Sequence, residues 1–138
     1  MAAAGYSGTP LAKKLGLKPD TRVVLLGAPE GYAATLGVLP ERLDLRTRLA
    51  NDVDLVQLFV TKGVDLVRQF GPASRALRPA GALWVSWPKG KSKAAIATDI
   101  DEGVVRTVGL EAGLVDVKVC AVDEVWSGLK FVRRLRDR

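Results

Sequence analysis

Three mostly apolar runs punctuate the chain: RVVLLGAP (22–29), DVDLVQLFVT (52–61), rich in Val, Leu and Phe, and GALWVSWP (81–88). Each is too short for a typical helix and is dominated by apolar residues, the pattern of strands buried on both faces of a parallel sheet. The first is ended by glycine and proline. A fourth segment, RLDLRT (42–47), alternates Leu43 and Leu45 with polar residues and predicts a short strand near an edge.

Between these runs the apolar period lengthens to that of helices. YSGTPLAKKLG carries a start signal in Thr9 and Pro10 and a stop at Gly16. EGYAATLG (30–37) predicts a short helix. KGVDLVRQF places Val64, Val67 and Phe70 at helical spacing, and Gly71-Pro72 is expected to kink or interrupt that helix before ASRALRP resumes it. TDIDEGVVRTVGLEAG (98–113) has Asp99 and Glu102 in capping-box spacing, a buried stripe of Val104, Val105 and Val108, and an end at Gly113. LVDVKVCAV and SGLKFVRRL lie close enough to pair antiparallel around Asp123–Gly128. Strands alternating with helices imply right-handed crossovers and a mainly parallel sheet covered on both faces. The expected fold is therefore α/β, a Rossmann-like three-layer sandwich ending in an antiparallel strand pair. It is read as one domain over 1–138, with 1–8 a flexible lead-in.

Composition narrows the chemistry. The chain has 138 residues, 48% of them hydrophobic, which excludes wholesale disorder. Its net charge of +6 permits an anionic ligand without demanding one. With no histidine and one cysteine, the usual zinc sites and the Ser-His-Asp and Cys-His arrangements are closed. Acid–base chemistry would fall to Asp, Glu, Lys, Tyr or Cys120, and Cys120, mid-strand, reads as a packed thiol. A lone cysteine and a start, MAAAGYSG, unlike a signal peptide point to the cytoplasm, and no apolar run is long enough to span a membrane.

Two loops carry the candidate chemistry. VSWPKGKSK (85–93) contains Gly90-Lys91-Ser92, but a phosphate-binding P-loop needs glycine where Val85 stands. Lys89, Lys91 and Lys93 are then either a solvated basic turn or an anion site at a strand exit. VVLLGAPEGY (23–32) offers Gly27, Pro29 and Gly31 with Glu30 between them. Pro29 lacks an N–H and Glu30 would repel phosphate, so the segment is either a plain strand-to-helix turn punctuated by Gly and Pro or a place for the adenosine or amino-acid part of a ligand. Parallel neighbours deliver their exits to the same edge. Ser86, Trp87 and Lys89 are therefore expected to line a cleft with Gly27, Glu30, Gly31 and Tyr32. Lys91, Trp126 and Lys130 complete the candidate ligand or partner residues, the last two from the polar-aromatic group DEVWSGLK. Trp84, inside a strand, reads as core.

The order of elements resembles the class I S-adenosylmethionine-dependent methyltransferase fold over about residues 20 to 135. RVVLLGAPEGY stands where those enzymes carry their glycine-rich motif, DVDLVQLFV resembles their central strand, and LRPAGALWVSW the turn into the next strand. VDVKVCAV and GLKFVRRL resemble the closing antiparallel pair. YSGTPLAKKLG, LFVT, LWVSWPKGKS and DVKVCAVDEVWSGLKFV also resemble a small bacterial family without an assigned function. The methyltransferase resemblance implies S-adenosylmethionine as cofactor and an acid ending the second strand to hold its ribose. Here Pro29 and Glu30 interrupt the motif, one strand is missing between LDLRT and DVDLV, and Asp44 lies inside its strand. The expectation is a domain that acts by binding a small molecule or a protein, with no cofactor. The alternatives are a methyltransferase or other small-molecule enzyme with an atypical pocket, and a nucleic-acid-binding module using the loop lysines and the C-terminal arginines.

Overall fold

A computed structural model describes residues 9–90 and 96–138; the lead-in 1–8 and the loop positions Lys91, Ser92 and Lys93 lie outside them. The elements are α1 (Leu11–Leu15), β1 (Arg22–Leu26), α2 (Tyr32–Leu36), β2 (Asp44–Arg46), β3 (Val53–Phe59), α3 (Gly63–Ala76), β4 (Leu77–Pro88), α4 (Glu102–Glu111), β5 (Leu114–Ala121) and β6 (Trp126–Arg133). Among the described residues six strands form one sheet in the order β2-β1-β3-β4-β6-β5. The first four are parallel, β6 runs antiparallel to β4, and β5 antiparallel to β6. The three apolar runs form β1, β3 and β4, side by side inside the sheet, as expected.

Both faces are covered, so the core has two halves. On one side Val24, Val56, Leu58, Leu83 and Val85 meet Leu66 and Phe70 of α3 and Val105 of α4. On the other, Val23, Leu25, Leu55, Phe59 and Trp84 meet Leu11 and Leu15 of α1 and Tyr32 and Leu36 of α2. The buried indole of Trp84 donates to the Leu15 carbonyl oxygen at 2.8 Å, which ties α1 to the sheet. Gly16 then ends α1 in the left-handed conformation, at φ 86°.

Three local expectations are corrected. The buried face of α3 is Leu66, Phe70 and Ala73, while Val64 and Val67 are 70% and 66% exposed. At about 100° per residue the first set stays within one narrow stripe, whereas Val64, Val67 and Phe70 drift steadily around the helix. Helix α3 also runs through Pro72 without a break to Ala76, and β4 begins at Leu77, where ASRALRP was expected to continue the helix. On α4, Val105 is buried but Val104 is partly exposed, and Gly109 joins the buried face.

The capping box is replaced by two separate caps. Asp101 accepts from the Val104 N–H at 2.9 Å and caps α4. Asp99 instead accepts from the Gly63 N–H at 2.7 Å, at the start of α3, so one short segment fastens both helices of that face. Asp101→Ala should cost about 1 kcal/mol, read as a lower urea midpoint with unchanged slope; an unchanged midpoint would show that the cap contributes nothing.

Candidate functional site

The parallel strands β1, β3 and β4 leave the sheet at one edge, ending in Leu26, Phe59 and Pro88. Beyond β1 the chain turns at once. Gly27 has φ 70°, and a Cβ there would lie 2.9 Å from the Phe59 carbonyl oxygen. The glycine thus lets the turn press against the end of β3. Gly31 repeats the left-handed conformation at φ 80° with nothing within 4 Å of a Cβ position. Gly27, Ala28, Glu30 and Gly31 are exposed, so the turn presents its backbone to solvent.

Behind the turn lies a buried polar chain. The Tyr32 hydroxyl donates to Gln57 Oε1 at 2.7 Å, and Gln57 Nε2 donates to Ser86 Oγ at 3.1 Å. Gln57 and Ser86 are fully buried, which links α2, β3 and β4 by side-chain hydrogen bonds across the sheet. Aromatic contacts run beside it: Tyr32 packs edge-on to Phe59 at 4.8 Å, and Phe59 edge-on to Trp126 at 5.2 Å. Gln57 and Phe59 were not among the sequence candidates. The one signal for Gln57 was its place as an amide in an otherwise apolar run.

The structure brings some candidates together and separates others. Gly27, Glu30, Gly31, Tyr32, Ser86 and Trp126 gather at this edge, although Tyr32, Ser86 and Trp126 are buried supports. Trp87 is buried on the opposite face, in the core with α3 and α4. Successive strand residues point to opposite faces, so Ser86 and Trp87 cannot share a lining. Lys89 is committed to the hairpin: its ammonium donates to the Asp123 carbonyl oxygen at 2.7 Å and its N–H to that of Val125 at 2.7 Å. Asp123 Oδ1 accepts from the N–H groups of Val125 and Trp126, both at 2.8 Å, which fixes the indole in the core. Lys130 lies away from the turn and lines a pocket at the other edge. Lys91 falls outside the described residues.

Asp44, the acid of β2, also stands at the other edge, paired in register with Arg22 at the start of β1. Arg46 Nε donates to its oxygens at 3.1 and 3.2 Å and Arg22 Nε donates at 3.1 Å. These two guanidiniums, Arg46 foremost, hold its carboxyl below the usual carboxylate range. The exit of β2 beside the turn is Arg46, Thr47 and Arg48, all exposed. Cys120 packs against the core on the α1 side, and burial pushes its thiol up, only partly countered by Lys14, Lys118 and Lys89. That is a packed thiol, not an activated one. Among the described residues no three His, Cys, Asp or Glu side chains gather as metal ligands, and no helix is long and apolar enough to cross a membrane.

No protein-family model matches the chain, and no curated protein does. Solved structures do. The chain superposes on the pyocyanin biosynthetic protein PhzM with a TM-score of 0.64 at 12% identity, covering 90% of this chain and 53%, about half, of PhzM. It superposes on an S-adenosylmethionine-dependent methyltransferase from Aquifex aeolicus with a TM-score of 0.61 at 15% identity, over 88% and 86% of the two chains. For the ribosomal protein L11 methylase from Lactobacillus delbrueckii subsp. bulgaricus the TM-score is 0.58 at 12% identity, over 90% and 75%. At these identities the likeness is one of fold: this chain has a class I methyltransferase-like α/β sheet closed by an antiparallel strand pair.

Proposed function

We propose that this chain is a methyltransferase-fold domain that works by binding a small molecule or a protein partner, without transferring a methyl group. The observation that carries the reading is at β2. The fold's cofactor needs an acceptor for its ribose hydroxyls at that strand's exit, and the exit here is Arg46, Thr47 and Arg48. A guanidinium donates five N–H bonds and accepts none. The acid that could serve, Asp44, is at the far edge with both oxygens engaged by Arg22 and Arg46. In the turn, Pro29 offers no N–H, and its carbonyl oxygen is taken by the Tyr32 N–H at 3.1 Å.

The residues present therefore do not fit S-adenosylmethionine, and no transfer step is derived through it. The exposed turn Gly27–Gly31 is the surface assigned to binding, stiffened from behind by Tyr32, Gln57 and Ser86. One observation favours a second reading, a methyltransferase with an atypical pocket: the open space over Gly31 would admit a ligand close to backbone. Thermal melts separate the two. Cofactor at 100 times its dissociation constant would stabilise the fold by about 2.7 kcal/mol, a rise of several degrees. The binding reading predicts no rise with S-adenosylmethionine; a saturable rise would establish the second reading instead.

A further inference from the structure

A pocket of about 240 Å³ opens at the amino edge of the parallel strands, remote from the turn Gly27–Gly31. Val23, Leu55 and Ala82 of three neighbouring strands line it, together with Gly16, Lys18, Thr21, Asp54 and Lys130. Thr21 donates its hydroxyl to the Lys18 carbonyl oxygen at 2.7 Å and so pins the loop that carries Lys18.

The charge here is unbalanced. Lys130 of β6 stands directly opposite Lys118 of β5. Like charges in that position destabilise a sheet. Among the described residues no carboxylate forms an ion pair with Lys18, Lys118 or Lys130. The acids nearest in the fold are engaged elsewhere: Asp54 pairs with Arg78 at 3.4 Å and accepts from the Arg22 N–H at 2.9 Å, and Asp20 pairs with Arg42.

Lys130 is not needed to satisfy the helix end beside it either. Its ammonium lies 3.7 Å from the Cβ position at Gly16, next to the last carbonyls of α1. Those carbonyls already have donors. Ala12 accepts from the Leu17 N–H, Lys13 from the Gly16 N–H, Lys14 from the Lys118 ammonium and Leu15 from the Trp84 indole. A half-buried ammonium thus faces a cavity with a second lysine among its lining residues, and the one carboxylate there, Asp54, is held by Arg78 and the Arg22 N–H. Burial, then Lys118 and Lys18, pull the Lys130 ammonium below the usual lysine range.

We propose that this pocket is a binding site for the phosphate group of a small phosphomonoester, held between Lys130 and Lys18 with Thr21 at the rim. A phosphomonoester dianion matches a pocket lined by two lysines, and lysine binds phosphate as a point charge. The volume is below the range of about 300–1,000 Å³ typical of drug-sized ligands, which suits a small polar molecule. This site is independent of the binding surface assigned to the turn, and its failure would leave that assignment standing.

The test is a titration of nitrogen-labelled protein with inorganic phosphate, with glycerol phosphate and with an oligonucleotide lacking a terminal phosphate, using wild type, Lys130→Met and Lys18→Met. Saturable shifts of the Gly16, Thr21 and Lys130 amides are expected with both phosphate probes. Lys130→Met should weaken them by about tenfold or more, about 1.4 kcal/mol, and Lys18→Met should also weaken them. Methionine keeps the apolar stem and removes the like-charge pair, so the Lys130→Met protein should melt at the wild-type temperature or above. Absent shifts in wild type, unchanged affinity in Lys130→Met, or a stronger response of the same amides to the oligonucleotide would each overturn the proposal. A Lys130→Met protein that loses stability but keeps phosphate affinity would show the lysine to be structural and overturn it too.

Discussion

Replacing Gly109 with alanine is expected to destabilise the fold by about 2 kcal/mol or more, although the same change in an exposed helix would gain about 1 kcal/mol. Gly109 is buried on α4, and a Cβ there would lie 2.0 Å from Cε1 of Phe131 and 2.5 Å from two further ring atoms. The ring has nowhere to go. Phe131 is fully buried on β6 and stacked edge-on against Phe70 of α3 at 5.5 Å. Either α4 lifts from the sheet or the pair of rings repacks, and overpacking of this kind costs more than helix propensity returns. Urea unfolding of Gly109→Ala, Phe131→Leu and the double variant measures the clash as a coupling energy. Phe131→Leu should cost clearly less in the Gly109→Ala background than in wild type. A Gly109→Ala protein as stable as wild type would mean that α4 does not seat on Phe131 as described.

Gln57→Leu is expected to cost about 2–4 kcal/mol, since a buried group stripped of its partner costs about 1–3 kcal/mol and two groups are affected. The leucine fits the space, but Tyr32 loses the acceptor of its 2.7 Å bond and Ser86 loses its donor. Tyr32→Phe, which strips only Gln57 Oε1, should cost less. The triple change Tyr32→Phe, Gln57→Leu and Ser86→Ala should recover part of the loss, because removing all the partners leaves fewer buried groups unmatched. Additive losses across the three positions, measured by urea unfolding, would show that they do not act as one chain.

Strands β1, β3 and β4 were readable because strands covered on both faces leave predominantly apolar runs, broken here only by a few polar residues such as Gln57 and Ser86. Helix faces were less readable. Valines at 64, 67 and 104 fit a helical period without belonging to the buried stripe, which only the packing of Leu66, Phe70 and Val105 on the sheet identifies. Asp99 carries a capping signal in the sequence, yet its partner Gly63 is distant in the chain, so the bond depends on tertiary structure. That the turn after β1 and the exit of β4 lie at the same edge of the sheet followed from topology, with β3 between the two strands. The separation of Trp87 from Ser86 follows from strand geometry, since successive residues of β4 face opposite sides of the sheet. The pairing of Lys130 with Lys118 needs the register of β5 on β6, shifted by an irregularity between Asp116 and Lys118, which no local pattern reveals.

Titrating nitrogen-labelled protein with S-adenosylmethionine reads the turn itself. If β2 ends in cations and Pro29 closes the backbone approach, the amides of Gly27, Ala28 and Gly31 keep their positions throughout the titration. Saturable shifts of those three amides would contradict this account and make the turn a cofactor site.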